Sequence, residues 1–269
     1  MSRAGRLSRS SLWLGLLFLY LPLVVLVIFS FNSSRLVTVW AGFSSRWYVE
    51  LLHDQQLIDA LMLSLRVAFM TATAATILGL MAGAALARTG RFHGRSLLAA
   101  MLIGPLVIPE VIMGLSMLLL FIALGQLIGW PAERGALTIW IAHVTFCTAY
   151  VAAIMTGRLS ALDRSQQEAA MDLGATPVRV FQSITLPAIA PALTAGWLLS
   201  FTLSFDDLVI ASFVTGPGAS TLPIVIFSSV RLGVSPKVNA LAALLIVAVT
   251  AVTLGGWWVS HRLAQHRTD

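Results

Sequence analysis

The sequence has few charged residues and a single cysteine. Charged residues make up 10% of the 269 positions, whereas soluble domains carry roughly 25%. Because 58% of the residues are hydrophobic, a chain with so little charge cannot cover its own surface in water, and lipid is the predicted solvent. The one cysteine, Cys147, excludes a disulfide within the chain and a zinc or redox site built from cysteine pairs.

Several nucleotide-binding and catalytic motifs are also absent. There is no Gly-x-x-x-x-Gly-Lys-Ser/Thr phosphate loop, so the chain is not predicted to bind or hydrolyse ATP by itself. His-Glu-x-x-His, Gly-x-Ser-x-Gly and glycine-rich dinucleotide motifs are missing too. The eleven acidic residues are too sparse to favour a metal site, and the basic residues are scattered rather than clustered as in a nucleic-acid patch. We therefore predict no enzyme, no metal, no cofactor and no nucleic-acid partner.

Six apolar segments are long enough to cross a membrane, since a spanning helix needs about 20 residues. They predict an all-α, polytopic membrane protein. The first segment follows three arginines, but it is longer than the core of a signal peptide and no small-x-small cleavage site follows it, so we interpret it as a retained span. The predicted spans are Leu12–Phe31, Leu61–Ala87, Leu97–Leu124, Leu137–Thr156, Ala190–Val214 and Ala240–Ser260.

The basic residues predict the orientation. Of the seventeen, eleven lie on one side of the predicted spans, five on the other and one, Arg66, within a span. Positive residues are retained in the cytoplasm, so both termini are predicted to be cytoplasmic. The eleven are Arg3, Arg6, Arg9, Arg88, Arg91, Arg95, Arg158, Arg164, Arg179, Arg262 and Arg267.

The predicted cytoplasmic loop, residues 157–189, has the local signals of two short helices. Good helix formers run from Arg164 to Leu173, and Gly174 is placed to end that helix in a left-handed conformation. Thr176 then caps a second helix that has Pro177 at its first position. Pro187 is expected to close this second helix before the next span. The loop is thus predicted to be a helix–turn–helix on the cytoplasmic face.

This loop resembles the EAA motif of ABC importer permeases, Glu-Ala-Ala, three residues, Gly, nine residues, Ile-x-Leu-Pro. The resemblance implies that the loop docks in a cleft of an ATPase subunit, and that the fold is a MetI-like permease bundle forming a single domain over residues 1–269. The alternative is an amphipathic hairpin that only lies on the membrane. The matching positions are Glu168, Ala169, Ala170, Gly174, Ile184, Leu186 and Pro187.

Other segments resemble the spermidine/putrescine branch of this family. Ser204–Asp207, Gly216–Gly218 and Thr221–Pro223 look like that branch, and Leu36–Gly42 and Phe227–Arg231 are nearer the putrescine type. The resemblance implies a bacterial inner-membrane importer in which ATP is bound by partner subunits. The implied partners are a second, homologous permease, an ABC ATPase dimer and a periplasmic polyamine-binding protein, all around a chain embedded in membrane lipid.

Four ionisable groups other than histidine lie within the predicted spans, and each costs at least about 2.5 kcal/mol at the bilayer centre. A polyamine pathway needs spaced carboxylates and apolar or aromatic walls. The fifth span supplies both, with Asp206 and Asp207 beside Phe205 and Trp197. On one helix two successive residues point about 100° apart, so one aspartate is expected to line the pathway while the other pairs with Arg66 or a partner helix. Structural roles for both are the alternative.

Three further polar residues lie in the predicted spans. Glu110 follows Pro105 and Pro109, which are expected to kink the helix, and it either meets a cation in a cavity or bonds freed backbone amides. Arg66 favours a structural role, because a fixed cation would repel a polyamine. His143 is expected to be packed and hydrogen-bonded.

A second hypothesis is a stand-alone secondary transporter of a cationic substrate, driven by protons or sodium, with Glu110 and the two aspartates as proton carriers. Six spans are few for such a protein. Inverted repeats with broken helices in both halves are expected of it, and the sequence shows none. The EAA motif favours the importer subunit.

Overall fold

The computed structural model describes residues 3–36, 39–90, 92–232 and 235–265. Over these ranges the chain is helical, with no strand and one isolated bridge between Asn32 and Phe43. Four positions used above lie outside the described residues: Val37, Thr38, Arg91 and Arg267. The helices are α1 (Arg3–Phe29), α2 (Arg46–Leu52), α3 (Gln55–Arg88), α4 (Arg95–Val107), α5 (Glu110–Ile128), α6 (Ala136–Ser160), α7 (Ser165–Asp172), α8 (Pro177–Val180), α9 (Leu186–Phe205), α10 (Val209–Val214), α11 (Leu222–Leu232) and α12 (Pro236–Gln265), with a π-helix at Phe181–Thr185.

Six helical stretches in the described part of the chain are long and apolar enough to cross a membrane, which confirms the all-α fold and the number of spans. Helices α4 and α11 are apolar but shorter. The orientation of the termini stays a prediction. The six stretches are Ser11–Phe29, Gln55–Arg88, Glu110–Ile128, Ala136–Ser160, Pro177–Phe205 and Pro236–Gly255.

The third predicted span, 97–124, is not one helix. Helix α4 ends at Val107, and α5 begins at Glu110 after two extended residues, Ile108 (ψ 132°) and Pro109 (ψ 139°). The ring of Pro109 disfavours the α conformation for the residue before it, and Ile108 is extended, so the chain breaks here instead of kinking.

The fifth predicted span, 190–214, also differs at both ends. Helix α9 ends at Phe205, and α10 begins only at Val209, so Asp206 and Asp207 lie in a break rather than on a continuous helix. Pro187 does not close the preceding helix. The backbone stays helical from α8 through the π-helix into α9, with the amide N–H of Leu186 bonded to the carbonyl of Phe181, five residues back. This wider turn is a known way of accommodating a helix irregularity.

The chain divides into two compact units, one formed by residues 1–58 with 226–269 and one by residues 59–225. In the first unit α1 and α2 pack against α12. Lys237 at the start of α12 forms an ion pair with Asp54, at 3.0 Å, and lies 4.0 Å from Glu50. The interpretation as a single permease domain stays a prediction.

Helix α6 is the centre of the second unit and packs against α4, α9 and α10. Residues from Thr138 to Leu159 on several of its faces are buried. Helix α3 approaches it through Gly79, where an added Cβ would lie 2.5 Å from the Cβ of Val151. The glycine therefore allows a close helix contact, as is common between membrane helices.

Candidate functional site

The EAA hairpin, residues 165–187, folds by the local signals found in the sequence, apart from its end at Pro187. Helix α7 ends before Gly174, whose φ of +88° is the left-handed conformation expected of a glycine that terminates a helix. The Thr176 hydroxyl accepts a hydrogen bond from the N–H of Arg179 at 3.4 Å, and Pro177 is the first residue of α8. The predicted helix–turn–helix is therefore confirmed.

Side chains distant in sequence attach this hairpin to the helices of its unit. The Arg88 guanidinium at the end of α3 donates to the Gln167 side chain at 3.1 Å, and Gln167 in turn donates to the Thr185 hydroxyl at 3.0 Å. Arg158 at the end of α6 donates to the carbonyl of Ala188 at 2.8 Å. Movement of the hairpin is thus tied to α3, α6 and the start of α9.

The motif positions are presented outward rather than packed inside the unit. At the tip, Leu173 is 90% exposed, although leucine is one of the residue types most often buried. None of the seven motif residues is buried: Glu168, Ala169, Gly174, Leu186 and Pro187 are exposed, and Ala170 and Ile184 are partly exposed. The surface is suited to contact with another molecule.

Asp207 is a buried acceptor at the break between α9 and α10. One carboxylate oxygen accepts from the Ala211 N–H at 2.7 Å and lies 3.1 Å from His143 Nε2, and the other accepts from the Ile210 N–H at 3.3 Å. The other nitrogen of His143 lies 2.8 Å from the Ser204 hydroxyl. The expected packed, hydrogen-bonded His143 is confirmed, whereas the suggested pairing of an aspartate with Arg66 is wrong for Asp207.

Asp206, unlike the adjacent Asp207, is exposed. Among the described side chains it has no ion pair. It follows an aromatic stripe along α9, in which Trp197 stacks on Phe201 (centroids 5.5 Å apart) and Phe201 on Phe205 (5.9 Å). Phe69 of α3 meets Trp197 edge-on. The break after Phe205 thus places an open carboxylate at the end of a row of aromatic rings.

Glu110 is the first residue of α5, is exposed, and makes no side-chain hydrogen bond to the described backbone. The alternative in which it bonds freed amides is therefore wrong. Gly114, one turn after Glu110 on α5, lies against Ile210 of α10, and the N–H of Ile210 donates to Asp207. Asp207 in turn contacts His143 of α6, so the three acidic residues are grouped near this helix.

Arg66 lies on the exposed side of α3, beside Asp59, Met62 and Leu63. No carboxylate lies within 4 Å of its guanidinium among the residues with described side chains. It therefore does not neutralise the acidic group around α6. In the same part of the chain, no three of His, Cys, Asp and Glu lie close enough together to hold a metal ion.

Broken spans around a central helix, an exposed EAA hairpin and exposed carboxylates at the breaks of two apolar spans are features of a transport subunit. The family of binding-protein-dependent transport system inner membrane components matches residues 75–265, most of the chain. The chain belongs to this family and is a multi-pass inner-membrane protein whose relatives are transport subunits rather than enzymes. Family membership favours the importer subunit over the secondary transporter.

Two relatives narrow this class. The chain is 61% identical over 256 residues to the putrescine transport system permease protein PotI of Escherichia coli, covering 95% of this chain and 91% of that protein. It is 41% identical over 244 residues to the spermidine/putrescine transport system permease protein PotC of the same organism, covering 90% of each.

Solved structures show the same fold. A bacterial ABC transporter involved in the import of the acidic polysaccharide alginate superposes with a TM-score of 0.73 at 17% identity, covering 97% of this chain and 98% of that chain. The inward-facing methionine transporter MetNI gives a TM-score of 0.60 at 18% identity, covering 76% and 94%. These likenesses confirm the MetI-like permease bundle.

Proposed function

We propose that this chain is a permease subunit of an ATP-driven importer and forms half of the translocation pathway for a polyamine, with putrescine as the cargo. The 61% identity to the E. coli putrescine permease, over nearly the full length of both proteins, supports this cargo. The 41% identity to a spermidine/putrescine permease supports the broader class of substrate.

The proposed assembly contains a second, homologous permease subunit, an ABC ATPase dimer and a periplasmic polyamine-binding protein. ATP is held by the ATPase subunits, and the EAA hairpin of this chain docks on one of them. The exposed Leu173 at the hairpin tip supports docking, because it is an apolar side chain with no cover in its own unit. ATP binds the closed ATPase dimer better than the open one, and this closure shifts the permease between two conformations.

The observation that carries the pathway is the aromatic stripe ending at Asp206. A diamine such as putrescine has two ammonium groups joined by methylenes. Ring faces attract ammonium groups and also cover methylenes, so Trp197, Phe201 and Phe205 suit both parts of the cargo. Asp206 at the end of the stripe offers a full negative charge in surroundings of low polarity, where screening is weak.

Glu110 is the second proposed pathway carboxylate. It is exposed, has no described hydrogen-bond partner and begins α5, the helix that packs against α10 just after Asp206 and Asp207. Two separate carboxylates offer one acceptor group for each ammonium group of putrescine. Asp207 is proposed to position this site and not to touch the cargo, because its oxygens are already bonded to His143, Ile210 and Ala211.

Exchange of Asp206 for asparagine tests the pathway. The amide keeps the size but loses the charge, so labelled putrescine uptake by the assembled importer should fall at least about tenfold, equivalent to about 1.4 kcal/mol. Subunit level and docking of the binding protein should be unchanged. Glu133→Gln, at an exposed carboxylate in the loop before α6 that has no hydrogen bond or ion pair among the described side chains, is the matched control and should transport normally. Wild-type uptake by Asp206→Asn would move the cation site to Glu110 or to the partner permease.

A further inference from the structure

A cleft of about 540 Å³ opens between the end of α3, the end of α6 and the EAA hairpin. The predicted orientation places it at the cytoplasmic surface of the membrane. Its lining combines an apolar floor with arginines. The floor is formed by Leu80, Met81, Ala84, Leu159 and Phe181.

Two arginines, Arg88 and Arg164, line this cleft, and the Arg164 guanidinium donates at 3.4 Å to the carbonyl of Ala87, the residue before Arg88. Arg88 uses one terminal nitrogen to bond Gln167, but its other terminal nitrogen, Nη2, is buried and has no hydrogen-bond partner. Glu168 also lines the cleft, yet no described carboxylate lies within 4 Å of either guanidinium. A pair of cations with an unused donor favours a bound anion.

We propose that this cleft binds an anionic phospholipid, with the phosphate between Arg88 and Arg164 and an acyl chain on the apolar floor. A phosphate supplies several acceptor oxygens, and guanidinium groups bind it in a forked geometry. It relieves the repulsion between the two arginines, and it accepts from Nη2 of Arg88 once the side chain rotates this buried nitrogen toward the cleft. Basic pockets between membrane helices at the cytoplasmic side are the usual sites of anionic lipid headgroups.

The apolar floor favours a lipid over a carboxylate from a partner protein. Met81 lines the cleft and is 63% exposed, and Ile77, one turn away on the same face of α3, is 56% exposed. Both belong to a helix long and apolar enough to span the membrane. An acyl chain can therefore pass from the cleft along α3 into the hydrocarbon, whereas a partner's carboxylate would leave the floor uncovered.

The bound lipid would act on the EAA hairpin through Arg88. This residue holds Gln167 of α7, and Gln167 holds Thr185 of the π-helix. A phosphate that fixes the Arg88 guanidinium also fixes this chain of hydrogen bonds. Coupling to the ATPase is thereby expected to depend on the charge of the surrounding lipid.

The test is lipid retention by the purified importer complex, read by native mass spectrometry after exchange into vesicles of phosphatidylglycerol and phosphatidylcholine. Arg88→Gln and Arg164→Gln should each lower retained phosphatidylglycerol about fivefold, equivalent to about 1 kcal/mol. Arg88→Lys keeps the charge and should retain most of it. Arg179→Gln, an exposed arginine of the hairpin that does not line the cleft, is the matched control.

Three outcomes would overturn the proposal. Equal phosphatidylglycerol in all variants means that the pair binds no lipid. Equal retention of phosphatidylcholine means that only the apolar floor is occupied. If the glutamine variants keep phosphatidylglycerol but lose the ATPase subunit, the arginines contact a partner carboxylate instead. The readout is independent of the cargo, so a failure here leaves the proposed transport function untouched.

Discussion

Removal of the Asp207 carboxylate should destabilise this protein far more than removal of its charge alone. The side chain is 6% exposed and accepts from three donors, His143 Nε2 and the N–H groups of Ile210 and Ala211. Alanine leaves all three without an acceptor. At about 1 kcal/mol or more for each unmet buried donor, Asp207→Ala should lose at least about 3 kcal/mol of the free energy of unfolding.

Asparagine is expected to cost less because of which bonds it can keep. Its carbonyl oxygen can replace the carboxylate oxygen that serves His143 and Ala211, so that only the longest bond, the 3.3 Å contact from Ile210, is lost. That loss amounts to about 1 kcal/mol. For a chain of this size each kcal/mol lowers Tm by about 2–4 °C, so Tm should fall about 2–4 °C for asparagine and at least about 6 °C for alanine.

Thermal unfolding of the purified importer, followed by size-exclusion chromatography with fluorescence detection, measures both shifts. Putrescine uptake per assembled complex should stay near wild type in Asp207→Asn, in contrast to Asp206→Asn. His143→Ala added to Asp207→Ala should cost less than the sum of the two single changes, because the two side chains share one contact. The reasoning is refuted if Asp207→Ala unfolds at the wild-type temperature, or if Asp207→Asn loses uptake as Asp206→Asn does.

Three further predictions follow from the hairpin, the α3–α6 contact and the orientation. Gly174→Val forces a branched residue to φ +88°, at about 1–3 kcal/mol of strain. Uptake and transport-coupled ATP hydrolysis should fall while the subunit still inserts, whereas the loop control Gly90→Val should keep both activities. Normal coupled hydrolysis in Gly174→Val would disprove the docking role. Gly79→Val places a Cβ 2.5 Å from the Cβ and 2.6 Å from the Cγ1 of Val151 and should lower the yield of folded subunit through overpacking of about 1–3 kcal/mol, with partial recovery on adding Val151→Gly, which removes both atoms; an unchanged yield would contradict the close approach. In a Cys147→Ser background, single cysteines are introduced at exposed positions and an impermeant thiol reagent is applied to spheroplasts. It should label the cysteines on the predicted outer side and not those on the cytoplasmic side. The reverse labelling pattern would show that the predicted topology is inverted. The outer positions are Ser45 and Ser220, and the cytoplasmic ones are Gln166 and Gln182.

Local chemistry made the EAA hairpin predictable. A glycine that ends a helix and a threonine followed by proline that begins one act over two or three residues, so the sequence predicts Gly174 and Thr176 correctly without the rest of the fold. The same local reasoning wrongly predicts that Pro187 ends the second helix. Its missing N–H stops an ordinary helix, but the π-helix before it lets the backbone continue.

The breaks in the third and fifth spans differ in how far the sequence predicts them. Two prolines signal an irregularity before Glu110, although not its extent. No glycine or proline lies within five residues of Asp206 or Asp207. At the break, Asp207 accepts from the first turn of α10 and contacts His143, 64 residues away. Contacts of this kind, including that of Arg88 with Gln167, need the packed fold and leave no periodic pattern in the chain.

The unbroken helical run from Pro177 to Phe205 has a mechanical consequence. At 1.5 Å per residue its 29 residues form a lever roughly 43 Å long, with the EAA hairpin at one end and the Asp206 break at the other. A tilt of about 5° at the hairpin end displaces the far end by roughly 4 Å, about the diameter of a methylene chain. Because α9 ends at Phe205, such a displacement would move Asp206 at the break between the helices and would not be transmitted rigidly into α10.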